Sequence, residues 1–221
     1  MRTGMLRAAT LVAVGLLLPG CPLSDEYYVE GAAGQPVKRP PMRGGDGGRT
    51  AMSMDLPPYC AAERYSDHTY LLCLPPGPER LNHLDASKRC VGLADAAGVA
   101  AGSIMDLVVV GSDDENQFVV DWIKSATNER GLVWMGATDV VSERTWVWGR
   151  AAGTTQFFTQ DKDGGGAPYM DSYNDFADKR PDGTNDDDQD CGAFDSSLEW
   201  EWDDERCAEQ ALGFICEEVS P

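Results

Sequence analysis

Residues 191–216 read CGAFDSSLEWEWDDERCAEQALGFIC. The stretch holds Cys191, Cys207 and Cys216, and an acidic triplet, Trp202-Asp203-Asp204, stands just before Cys207. Leu198-Glu199-Trp200-Glu201-Trp202 alternates apolar and charged residues, which predicts a strand with its apolar side chains on one face. Gly213-Phe214-Ile215-Cys216 predicts a further, fully buried strand. The chain is read as organised around this acidic, tryptophan-rich, cysteine-tied knot.

Composition narrows what the knot can do. The chain has 221 residues, 37 acids against 18 bases and a formal charge of -19. Such a balance excludes a nucleic-acid partner, which needs a positive footprint. It suits divalent cations or plain solubility. Two histidines are a poor basis for His-rich catalytic zinc. The cysteines from Cys60 onward lie far apart with no close CxxC pair, which is disulfide spacing in an oxidising compartment.

Residues 1–20 point to such a compartment. Arg2 and Arg7 precede an apolar run at residues 11–18 that is too short to span a bilayer comfortably. Leu18-Pro19-Gly20-Cys21 follows and resembles a bacterial lipoprotein signal. The resemblance implies cleavage of residues 1–20, lipidation of Cys21, a membrane anchor and a place in the bacterial envelope, at the outer membrane or cell surface. Setting Cys21 aside leaves an even number of cysteines for disulfides. Residues 21–57 contain Pro40-Pro41 and Gly44-Gly45-Asp46-Gly47-Gly48 and no lasting period, so they read as a flexible tether.

Residues 58–221 read as one domain of α+β class. Tyr59-Cys60 and the apolar run at residues 70–74 predict two short strands around a turn. Apolar or small residues at 81, 84, 87 and 91 have helical spacing. Residues 107–110 predict a buried strand. Ser112, with Glu115 three residues later, predicts a capped helix start, and Phe118, Val119, Trp122 and Ile123 give that helix one apolar face. Leu132-Val133-Trp134-Met135-Gly136 and Trp146-Val147-Trp148 predict strands. Residues 161–190 carry ten Asp against three basic residues and contain Gly164-Gly165-Gly166, so they read as a long loop. A loop of that length needs a binding role or something to pin it.

In this order the motifs resemble the C-type lectin-like domain. Trp134-Met135-Gly136 is similar to that family's Trp-Ile-Gly core strand, Trp202-Asp203-Asp204 to its Trp-Asn-Asp triplet, and Phe214-Ile215-Cys216-Glu217 to its closing strand. The resemblance implies two helices, antiparallel sheets and a long disulfide-tied loop region. Six cysteines alone allow fifteen pairings; the resemblance selects Cys60–Cys73, Cys90–Cys216 and Cys191–Cys207.

Sugar-binding members of the family use a calcium ion in this loop. Carried over by position, its ligands fall on Arg180, Asp182, Gln189, Asp203 and Asp204, with Asn185 and Asp187 in a dense oxygen cluster between them. Calcium takes six to eight hard oxygens, and a guanidinium has no acceptor. Arg180 therefore means either a shifted register or an altered site in which it pairs with Asp204 in place of the ion. Tyr169, Tyr173 and Trp200 are expected ligand contacts with Arg180 and Asp182, because aromatic rings offer flat apolar area. The expected function is recognition of a glycan or a protein surface through this acidic, calcium-ordered loop; the alternative is a protein- or matrix-binding module without a sugar-coordinating calcium. His68 and His83 are isolated and no GxSxG or HExxH occurs, so an enzyme is not expected.

Overall fold

The computed structural model describes residues 56–100, 102–150, 153–183 and 188–219. Residues 1–20, Cys21, nearly all of the 21–57 tether, Asn185 and Asp187 lie outside the described residues.

Strands β1 (Cys60–Tyr65) and β2 (His68–Cys73) form a hairpin in which Cys60 faces Cys73. Helix α1 (His83–Ala97) starts at Asn82, whose side chain accepts the Asp85 amide, and ends at Gly98 in the left-handed region. It runs past residue 91, where the apolar spacing fades, because Leu93 and Ala97 continue its buried face. Strand β3 is Ile104–Leu107. The expected strand at residues 107–110 is realised only at its first residue; Val108 and Val110 are buried in irregular backbone.

Helix α2 (Asp113–Ala126) begins at Ser112, whose hydroxyl accepts the Glu115 amide. The capping box is only half formed. Glu115 turns its carboxylate to the Tyr70 hydroxyl and the Gly111 amide, tying the helix start to β2.

Strands β4 (Leu132–Thr138), β5 (Thr145–Arg150), β6 (Gly153–Gln160), β7 (Gly166–Pro168), β8 (Cys191–Asp195), β9 (Trp202–Glu205) and β10 (Gly213–Val219) complete a ten-stranded sheet. Its main path is β1-β2-β10-β4-β5-β6-β7, with β8 joining β4 to β9. The named strands pair antiparallel as expected, except that β10 runs parallel to β4. The strand expected at residues 198–202 is realised only at Trp202, the first residue of β9. A short 3-10 turn, Ser196–Leu198, leads into Glu199 and Trp200 at positive φ, and the Asp195 carboxylate caps the Ser197 amide.

The central strands are buried on both faces because a helix covers each side. Leu71, Cys73, Trp134, Phe214 and Cys216 pack with Ala86, Cys90 and Leu93 of α1. Their sequence neighbours Tyr70, Leu72, Val133, Met135 and Ile215 pack with Val119, Val120 and Ile123 of α2. Disulfides join Cys60–Cys73, Cys90–Cys216 and Cys191–Cys207. The second spans 126 residues and ties α1 to β10. Replacing Cys90 and Cys216 with serine should lower unfolding stability by about 3–5 kcal/mol, the order expected for so long a closure. Denaturant titration of the double variant checks this, and an unchanged midpoint would contradict it.

Candidate functional site

The site is built on the β8–β9 hairpin, in which Phe194 faces Trp202, Ala193 faces Asp203 and Gly192 faces Asp204. Alternation along β9 sends Trp202 and Asp204 to one face and Asp203 and Glu205 to the other. Trp202 is fully buried at the centre of an aromatic cluster with Trp148, Phe157, Tyr173, Phe176 and Phe194. Its indole N–H donates to Asn116 Oδ1 at 2.9 Å, and the Asn116 amide donates to Asp175 at 2.7 Å. One tryptophan thereby joins the hairpin, α2 and the long loop.

The loop is held to β9 by its backbone. The Trp202 amide donates to the Asp175 carbonyl, and the Ala177 amide donates to the Trp202 carbonyl. Further on, the amides of Asp182 and Gly183 donate to the carboxylate of Asp204, which is fully buried. Gln160 donates to the Gly183 carbonyl at 2.8 Å, and Gln189 donates to the Asp204 carbonyl at 3.1 Å. The Arg180–Pro181 peptide bond is cis.

Arg180 reaches into the middle of this arrangement. Its Nε lies 3.2 Å from Asp203 Oδ1. Its Nη1 pairs with Asp182 and lies 3.9 Å from Asp204 Oδ1. Burial raises the pKa of Asp203, opposed by the Arg180 guanidinium, and raises that of Asp204, opposed by the Asp182 and Gly183 amides. The structure thus brings Arg180, Asp182, Asp203 and Asp204 together, with Gln189 on the Asp204 backbone. Trp200 is 8% exposed and belongs to the core, and Tyr173 packs edge-on against Trp202. Tyr169 is 39% exposed on the loop surface.

Sequence reasoning missed three groups. Asp195, Asp203 and Glu205 place ligand atoms within 4.8 Å of one another, a spacing that could take a divalent ion. Asp195 and Glu205 were passed over because only the hairpin register puts them beside Asp203. Both Asp195 oxygens already accept from Ser197, and Arg180 sits on Asp203. The third group is Asp139, just past β4 in Thr138-Asp139-Val140-Val141. Its only sequence signal is an acid directly after a core strand.

Asp139 is 2% exposed; Oδ2 accepts the Arg144 amide at 2.8 Å, and Oδ1 has no hydrogen-bond partner among the described residues. Burial pushes its carboxyl up to about 7, against the Arg144 amide and with help from the charges of Glu143, Asp190 and Asp204. The folded pKa exceeds the unfolded one, so this stabilisation is complete below the unfolded pKa and is lost as pH rises through about 7. The melting temperature should therefore fall between about pH 4 and about pH 7, and less so in Asp139→Asn, which cannot ionise. Melting curves across that range decide it, and an equally steep fall in the variant would refute the assignment.

Residues 102–218 match the family described as "Lectin C-type domain". The match covers more than half of the chain, and the protein belongs to the C-type lectin domain family. This makes it a domain of a family that recognises carbohydrate or protein surfaces. It is 26% identical over 154 residues to a perlucin-like protein of Mytilus galloprovincialis, covering 70% of this chain and 78% of that one. The C-type lectin CEL-I of Cucumaria echinata superposes with a TM-score of 0.54 at 21% identity, over 76% of this chain and 99% of that one. Human lithostathine does so with a TM-score of 0.50 at 21% identity, over 73% and 98%.

These relatives overturn the bacterial-lipoprotein resemblance and the envelope placement drawn from it, because the named relatives are eukaryotic. A short apolar run before one cysteine is a small pattern that chance can supply. The lectin signal is spread over most of the chain.

Proposed function

We propose that this chain recognises a glycan or protein surface through the 161–190 loop without a calcium ion at the family's sugar-binding position. The Arg180 guanidinium among the carboxylates of Asp182, Asp203 and Asp204 carries this reading. A calcium ion there would need its oxygens free. Asp204 instead accepts two backbone amides, and Asp203 faces the guanidinium. Arg180 brings a permanent charge and offers no acceptor. The residues present therefore do not fit the ion. The guanidinium does the ion's structural work, neutralising buried carboxylates and fixing the loop against β9.

Melting temperature in calcium and in chelator tests this. The wild-type value should be the same in both. Arg180→Gln should lose about 2–4 kcal/mol, because removing one partner leaves buried charges uncompensated, with some relief from its partial exposure. Arg180→Glu supplies an oxygen in place of the guanidinium and should become calcium-responsive. A calcium-induced rise in the wild type that Asp203→Asn abolishes would overturn the reading.

A further inference from the structure

The loop that Arg180 holds also walls a groove of about 310 Å3, between the triple-glycine turn and residues 174–180. That volume is at the lower end of the roughly 300–1,000 Å3 typical of small-ligand pockets, room for one ring and its substituents. Phe158, Pro168 and Phe176 supply apolar lining. Asn174, Lys179 and Arg180 supply polar groups.

Glycine is required for the groove to exist. Gly166 has φ of 152°, and a Cβ there would come within 2.1 Å of the Thr159 carbonyl oxygen on β6. A Cβ on Gly164, at φ 88°, would stand 2.9 Å from the Lys179 carbonyl oxygen. Either side chain would push the turn off its neighbours. The Gly165 amide instead donates to the Pro181 carbonyl at 2.9 Å, fixing the turn to the segment that carries Arg180.

Three polar groups on the wall are unspent. Arg180 commits Nε and Nη1 to carboxylates, and its Nη2 makes no hydrogen bond among the described residues. The carboxylates also fix the plane of the guanidinium, so its remaining edge is already oriented. The Lys179 ammonium and the Asn174 amide likewise make no hydrogen bond or ion pair among the described residues. Unspent cationic donors beside aromatic and proline rings, in a chain of charge -19, are suited to an anion carried on a ring. Asp178 shares the wall and disfavours a doubly charged group.

We propose that this groove binds a single sugar ring bearing a carboxylate. The ring lies on Phe176 and Pro168, Lys179 and Arg180 Nη2 take the carboxylate, and the Asn174 amide takes a hydroxyl. The proposal rests on the reading of Arg180 as a permanent cation in the loop.

Amide NMR titration of the full chain in chelator tests it, with methyl glucuronide as probe and methyl glucoside as its neutral counterpart. The glucuronide should shift the amides of residues 164–166 and 174–180, and the glucoside should bind at least about tenfold more weakly. Lys179→Gln should weaken glucuronide binding about tenfold without moving the melting temperature. Silence in the groove at tens of millimolar glucuronide, or equal binding of the two sugars, would overturn the proposal. Either result leaves the calcium-independent reading standing if wild-type melting ignores calcium. Shifts that need calcium and centre on Asp203 and Asp204 would instead defeat both.

Discussion

A buried carboxylate organises the face formed by the β8–β9 hairpin and the long loop. Asp204 has no solvent exposure, so its charge must be met inside the protein. The amides of Asp182 and Gly183 meet it on one side, with the Arg180 guanidinium nearby. Those amides belong to the long loop, and meeting the charge holds the loop in place. An apolar residue at 204 would leave two backbone donors without their acceptor. Loop conformation and charge neutralisation are therefore one constraint.

The frame around that constraint is rigid for separate reasons. The central strands are packed on both faces, by α1 on one side and α2 on the other. Cys191–Cys207 ties the start of β8 to the chain just beyond β9, next to Asp203 and Asp204. Trp202 passes this order to the loop through its aromatic neighbours and through Asn116 and Asp175. The described parts of the loop, residues 161–183 and 188–190, are in this way held as a fixed surface. A fixed surface serves recognition, because less conformational entropy is lost when a partner binds. Arg180 gives the surface a cation that does not depend on dissolved metal.

Much of the frame could be read from residue order. Ser112 with Glu115 located the start of α2, and the apolar run at residues 132–136 located β4. The misreadings share a cause. Residues 198–202 alternate as a strand should, yet Glu199 and Trp200 adopt positive φ because Asp195 caps a turn before them. Strands β6 and β7 were hidden by threonine, glutamine and glycine, whose apolar periodicity is weak. Their pairing comes from neighbouring strands, β5 for β6 and β6 for β7. Trp200 carried no mark to separate a core indole from a surface one.

By itself the sequence determined the class of fold, the start of the second helix, the unusual arginine and the concentration of acids near the final cysteines. Each is a local or compositional property. Only the tertiary structure decided that Arg180 lies among Asp182, Asp203 and Asp204, that Asp139 is buried with an oxygen unmet among the described residues, and that Gly164-Gly165-Gly166 closes on the 174–180 segment. These are contacts between distant segments, set by hairpin register and by which backbone amides are left for a buried carboxylate. No local pattern encodes them.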